Sequence, residues 1–281
     1  MAFFVVNDAL VKLASAQVPT AQLIFLRGLV TTSLLLAATL LMGQWRPMLA
    51  LRSRTVWARA ALDTVATFAY LTALFHLPLG LATAIVLASP LFLALMARML
   101  LNERIERLRW WLIGLGFVGV LLVVQPATEG FNAFALLCLG ATALQAGRDL
   151  STRMVPTQVP SLLITLFTVG TVTVASAGWT WSTGTWVQPD GHHWILLLAA
   201  GACLAGAHQL LTLSMRAGDM SVIGLFRYSG LLFALLLGYL VWGDLPNLLA
   251  WIGIGLIVVA GVTMLHRERA RARAALDAAL D

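Results

Sequence analysis

Four ionisable side chains fall inside otherwise apolar stretches of this 281-residue sequence: Asp8, Lys12, Arg27 and Arg227. A charge in hydrocarbon costs roughly 2.5–3.5 kcal/mol on insertion scales, so such residues face a partner or a wet cavity. Asp8 and Lys12 have the i, i+4 spacing that puts two side chains on one helix face, where they can pair. Arg27 stands about as far beyond the 17–19 turn as Asp8 stands before it, so a helical hairpin brings both to one depth. Spacing leaves two readings open: an intramembrane ion pair among Asp8, Lys12 and Arg27, or a substrate- or proton-binding role for Asp8.

Other polar groups join them. Asp63, Thr67, Tyr70 and Leu74 share a helix face, as do Ala205, His208 and Thr212, with Gln209 beside them. Tyr70 offers an apolar ring with a polar tip, and His208 titrates near neutrality and could relay a proton. Arg227-Tyr228 suits a carboxylate, which a guanidinium binds bidentately, although Arg227 could equally snorkel to the membrane surface. His76, beside Leu77-Pro78, reads as a gate or as an ordinary interfacial histidine. Asp8, Tyr70, His76, His208, Gln209, Arg227 and Tyr228 are thus candidate linings of a substrate cavity. The alternative is that they join helices to one another, as polar side chains in membranes often do. Asp63 lies one turn from Arg59, so a local pair is expected there. Pro90 lacks an N–H in mid-span and predicts a kink, fixed or hinge-like.

No H-E-x-x-H zinc motif, G-x-S-x-G nucleophile elbow or potassium-type filter is present, so a membrane enzyme would lack its catalytic constellation. His192-His193, without carboxylate support, reads as a solvated turn. The sequence calls for no catalytic residue, cofactor or metal.

These residues must be positioned by helices in lipid. Sixty per cent of the chain is apolar, 11% is charged and the mean hydropathy is +0.90. Stretches such as 31–43 and 252–265 are apolar on nearly every face, as lipid-facing helices are, and the period-two alternation of a barrel is absent. Apolar runs predict spans near 2–16, 20–43, 57–76, 80–99, 110–125, 132–151, 159–178, 193–214, 221–241 and 248–265. The first is short for a crossing of about 20 residues, so the chain is expected to start partway into it. No cleavable signal peptide is visible.

All of the 18 Lys and Arg except Lys12, Arg27 and Arg227 fall at one set of alternate links or in the tail. The positive-inside rule then makes both termini cytoplasmic. It also explains the net charge of +6 without nucleic acid: the tail at 266–281 is an anchor on anionic lipid. Trp179, Trp181, Trp186 and Trp194 read as an interfacial belt. Cys138 and Cys203 read as small core residues.

The chain also repeats itself. Asp8 to Lys12 and Val18-Pro19-Thr20 resemble Asp149 to Arg153 and Val155-Pro156-Thr157, and Trp111 to Gly116 resembles Trp251 to Gly255. Residues 1–130 and 131–265 are therefore expected to be two copies of a five-helix unit. An odd number of spans inverts the second copy, the arrangement behind alternating access. Gly114, Gly116, Gly253 and Gly255 predict close helix packing and could serve a dimer face, so monomer and homodimer are both open.

Ala73 to Ile85, Ser89-Pro90-Leu91-Phe92 and Leu101-Asn102-Glu103-Arg104 resemble the third and fourth helices of the drug/metabolite transporter superfamily, in its ten-helix EamA-type branch. Ala217 to Ser221, Tyr228, Gly238-Tyr239 and Gly243-Asp244-Leu245-Pro246 resemble the eighth and ninth, with Asp244 where the family usually has Glu. The resemblance implies an all-α integral membrane protein, ten transmembrane helices as two inverted five-helix repeats around a central cavity. It implies export of small metabolites, amino acids first, as in the YddG-type exporters, with a broad drug/metabolite or nucleoside-type exporter as the alternative. The expected setting is a bacterial inner membrane, with a small-molecule substrate and the lipid bilayer as partners. A membrane enzyme or structural membrane protein is the reading from another class.

Overall fold

The structure, a computed structural model, describes residues 1–45, 53–101, 107–125, 132–155, 158–217 and 228–280, and all regular structure among them is helical. In order the helices are α1 (Ala2–Ala14), α2 (Thr20–Leu41), α3 (Arg54–His76), α4 (Leu79–Val86), α5 (Ser89–Leu101) and α6 (Arg107–Val124). They continue as α7 (Ala133–Arg153), α8 (Ser161–Thr183), α9 (Gly191–Ala217), α10 (Ser229–Trp242) and α11 (Leu248–Leu280).

Local chemistry sets these bounds. Pro19, Pro78 and Pro160 cap α2, α4 and α8, where a missing N–H is harmless and the fixed φ favours entering a helix. Asn132 Oδ1 accepts from the Phe134 N–H at 2.9 Å, and Asp190 Oδ1 from the His193 N–H at 2.8 Å, each satisfying an orphan donor. That second bond holds the exposed Asp190 carboxyl below the usual carboxylate range. Gly184 and Gly243 end α8 and α10 at φ 61° and 71°, a left-handed conformation that favours glycine. The kink expected at Pro90 is a break. α4 stops at Val86, whose carbonyl would need the N–H that Pro90 lacks, and α5 begins at Ser89.

Among the described residues, five stretches are long and apolar enough to cross a bilayer: Thr20–Leu41, Leu79–Met96, Ser161–Thr183, Gly191–Leu210 and Leu248–Arg267. Trp110–Val124 and Ser229–Trp242 are shorter apolar helices. The surface agrees with lipid as the solvent. Leu41, Trp111, Val174, Leu232 and Leu240 all stand exposed, an apolar exterior that water would not tolerate. Trp181, Trp186 and Trp194 are exposed at one end, whereas Trp179 turns in to Phe68, ring centroids 5.1 Å apart.

The packing has a regular plan. α3 lies on α7 and α8 as α9 lies on α1 and α2, while α2 meets α8, α4 meets α10 and α6 meets α11. Helix bounds recur at a fixed interval: Thr20 and Ser161, which open α2 and α8, and Gly43 and Gly184, left-handed glycines just beyond the ends of those helices, stand 141 residues apart. Thr32 and Thr173 obey the same interval and touch, Oγ1 to Oγ1 at 3.1 Å. Pro160 therefore answers to Pro19. Pro156 and Thr157, which the sequence comparison had matched, lie outside the described residues.

At the α6–α11 crossing the backbones nearly touch, since a Cβ on Gly119 would come 2.7 Å from the Gly253 carbonyl oxygen. Of the glycines expected to pack, Gly253 does so and Gly116 abuts Leu91, but Gly114 and Gly255 face open space.

Candidate functional site

Asp8 is held in the middle of α1 by two neutral donors. Its Oδ2 accepts from the Tyr70 hydroxyl at 2.7 Å, and its Oδ1 from Asn7 Nδ2 at 2.9 Å. Asn7 is itself buried, and its Oδ1 faces Arg27 Nη1 at 3.4 Å. Arg27, also buried, thus reaches Asp8 through an amide and not as the direct ion pair that spacing suggested. The guanidinium Nε has no hydrogen-bond partner among the described residues. α2 is fixed at this level because Thr31 Oγ1 donates to the Arg27 and Gly201 carbonyls, at 3.0 and 3.2 Å, which joins α2 to α9. The result is one carboxylate and one guanidinium at the same depth, bridged but not neutralised by contact.

Lys12 does not turn back to Asp8. Its ammonium donates to the Leu77 carbonyl and lies 5.2 Å from the centroid of the Trp242 ring. Leu77 caps the C-terminus of α3 and precedes a proline, so its carbonyl is the kind of unsatisfied acceptor that attracts a cation. The expected Asp8–Lys12 pair is accordingly replaced by a tie from α1 to the ends of α3 and α10.

A second polar cluster sits towards the other ends of these helices. Arg148 on α7 bonds Asp63 on α3 at 2.5 Å and Asp149 at 2.9 Å. Arg59, expected to pair with Asp63, instead donates to the hydroxyls of Thr152, at 2.8 Å, and Thr168. The partner exchange follows from packing. α3 lies between α7 and α8, which puts Arg148 against Asp63 and leaves Arg59 facing two threonines.

The remaining candidates scatter. His208 meets Phe4 edge to face, centroids 5.4 Å apart, within electrostatic reach of Asp63, Arg148, Arg59 and Arg27, so it borders the space between the two clusters. Gln209 has a buried Oε1 with no partner among the described residues. Tyr228 is buried with its hydroxyl against Gly261. His76 is exposed, stacks on Phe134 at 3.8 Å and bonds the Thr72 carbonyl, the position of an interfacial histidine. Arg227 lies outside the described residues. His193 does have carboxylate support, from Asp190 at 2.6 Å. That contact caps α9.

A cavity of about 250 Å³ lies at the Leu77 end, lined by Pro78, Gly80, Gln125, Asn132, Asp244 and Asn247 among others. None of the sequence candidates among the described residues lines it. Across it Gln125 and Asn247 exchange side-chain hydrogen bonds of 2.9 and 3.2 Å. Sequence reasoning missed Asn7 and the Arg148 clasp. The available signal for Asn7 was an amide in an apolar helix beside Asp8; for Arg148 there was none, because its partner is 85 residues away.

Chemically, the Asp8 cluster can hold an ammonium on the carboxylate and a carboxylate on Arg27; it contains no activated nucleophile. The profile of the EamA-like transporter family matches residues 1–125. The chain is 28% identical over 272 residues to the pseudopaline exporter CntI of Pseudomonas aeruginosa, covering 95% of this chain and 93% of that one. It is 30% identical over 227 residues to a riboflavin transporter of Rhizobium johnstonii, covering 80% and 75%. It is 23% identical over 192 residues to an S-adenosylmethionine uptake transporter of Rickettsia felis, covering 68% and 65%. A solved crystal structure shares the fold, with a TM-score of 0.68 and 21% identity over 95% of this chain and 96% of its own.

Proposed function

The chain belongs to the EamA-like transporter family of the drug/metabolite transporter superfamily, and on that premise we propose that it exports a small zwitterionic metabolite, an amino acid or close derivative, across the bacterial inner membrane. The observation that carries the reading is Asp8: a carboxylate deep in the helical bundle whose contacts are Tyr70 and Asn7, beside a buried Arg27 with an unpartnered Nε. Such a pair complements an ammonium and a carboxylate on one small molecule. Export is favoured over uptake because the exporter of Pseudomonas aeruginosa is matched over 93% of its length, the uptake transporter of Rickettsia felis over 65%.

Alternating access by two inverted five-span halves is supported by the helix bounds that recur 141 residues apart and by the exchange of packing partners between halves. In this reading α4 and α5 form one broken span, both termini are cytoplasmic, and the Leu77 end, whose links carry no Lys or Arg, is extracytoplasmic. His208 and the Arg148 clasp then border the cytoplasmic approach to Asp8.

A second reading, a larger neutral substrate, is favoured by the 30% identity to the riboflavin transporter. Flux from proteoliposomes loaded with radiolabelled amino acids, polyamines, nucleosides or riboflavin separates the two. Amino-acid efflux that Asp8→Asn abolishes is the expected result. Riboflavin flux alone, indifferent to Asp8, would transfer the claim to the second reading, and an inert panel would sink transport of either kind.

A further inference from the structure

Of the described residues Asp8, Lys12 and Arg27, the charges that fall inside apolar stretches of the first half, Lys12 is left without a task by the proposed transport reaction. We propose that it is a tethered counter-cation with two seats: the Leu77 carbonyl with the Trp242 ring, and the Asp8 carboxylate. The proposal rests on the reading of Asp8 as the seat of the substrate's ammonium.

The first seat is the one observed. There Lys12 ties α1 to the end of α3 and the end of α10, and Pro78, Gly80 and Asp244, next along the chain from those two ends, line the cavity at the Leu77 end. This tie closes that end while Asp8, one turn further in, contacts only neutral donors and can accept a cation.

The second seat follows from helix geometry. Residues four apart have Cβ atoms about 5–6 Å apart, and a carboxylate N-terminal to a lysine is the favourable order. A lysine stem crosses that gap by rotamer changes alone. One ammonium cannot occupy both seats. When Lys12 takes Asp8 it releases α3 and α10 together, so the Leu77 end opens. At the same moment it displaces the substrate's ammonium, because two cations compete for one carboxylate. While that end stands open the emptied carboxylate is thus paired, which removes the penalty that a lone buried carboxylate would impose. Lys12 is therefore a positioning residue that acts through Asp8 and through the seal, and release of substrate and opening of the exit become one event.

The test needs no substrate. Ala234 lines the cavity and is fully buried, so Ala234→Cys in a Cys203→Ser background reports opening through its reaction with a membrane-impermeant maleimide applied at the Leu77 end. Lys12→Met removes the seal and should raise the labelling rate about fivefold or more. Asp8→Asn removes the second seat, holds Lys12 on Leu77 and should lower the rate by a similar factor. The double variant should behave as Lys12→Met. Should Lys12→Met not fold, Trp242→Leu weakens the first seat alone and should also raise labelling. A merely structural role for both residues would loosen the protein in each variant, so faster labelling in Asp8→Asn, or an unchanged rate in Lys12→Met or Trp242→Leu, overturns the proposal. Failure here strikes Lys12 alone, whereas absent flux in the wild-type protein strikes the transport reading.

Discussion

Asp8 and Asp149 stand 141 residues apart, the interval at which the helix bounds recur, yet they live in opposite surroundings. The residue before Asp8 is Asn7, an amide that donates to the carboxylate and passes a contact on to Arg27. The residue before Asp149 is Arg148, whose guanidinium clasps Asp149 and reaches across to Asp63 at 2.5 Å. One difference of side-chain type separates a carboxylate held by neutral donors from a carboxylate paired with a guanidinium. A neighbouring side chain thus decides whether the carboxylate is clasped by a guanidinium that fastens helices or is held by neutral donors alone.

The largest expected effect attacks the fastened site. Arg148→Met leaves Asp63 and Asp149 without their guanidinium and should lower unfolding stability by about 3–5 kcal/mol, with much of it regained in Asp63→Leu/Arg148→Met. Asp8→Asn, by contrast, should stay within about 1 kcal/mol of wild type in the same denaturation assay, since its partners are neutral. Equal losses would erase the distinction between the two sites.

Converting one site to the other comes next. Asn7→Arg should supply Asp8 with a guanidinium worth about 1.5–3 kcal/mol as a charged hydrogen bond, and so weaken substrate binding roughly tenfold to a hundredfold in flux assays. Gly253→Ala pushes a methyl towards the Gly119 carbonyl, should destabilise by about 1–3 kcal/mol, and should disturb both sites alike. Smallest is Thr32→Val, which removes the Thr32–Thr173 contact and should shift thermal stability by only about 0.6 kcal/mol, with no selective effect on flux.

The helical class, the start of α2 after Pro19 and the approach of Arg27 to the level of Asp8 could be read from the sequence because hydropathy and punctuation are local signals. The partners could not. Lys12 was one turn from Asp8 on paper, but the carbonyl that claims it belongs to Leu77, 65 residues on, and no pattern advertises a free helix-end acceptor. Asp63 was assigned to Arg59 by the same proximity argument, whereas α3 packs between two helices of the second half and meets Arg148 first. The expected register slips at one point, since Val155-Pro156-Thr157 imitates Val18-Pro19-Thr20 more closely than does Val159-Pro160-Ser161, the segment that opens α8. Gly119 escaped notice because only its neighbour across the crossing, Gly253, gives it significance.

α11 offers a different consequence. Its apolar part ends near Arg267, but the helix continues without a break to Leu280. At 1.5 Å per residue that continuation is a stiff arm about 20 Å long, rooted at the glycine crossing with α6. A rotation of α11 about that crossing too small to resolve near the pivot becomes a displacement of several ångströms at the tip, where a fluorophore would magnify it.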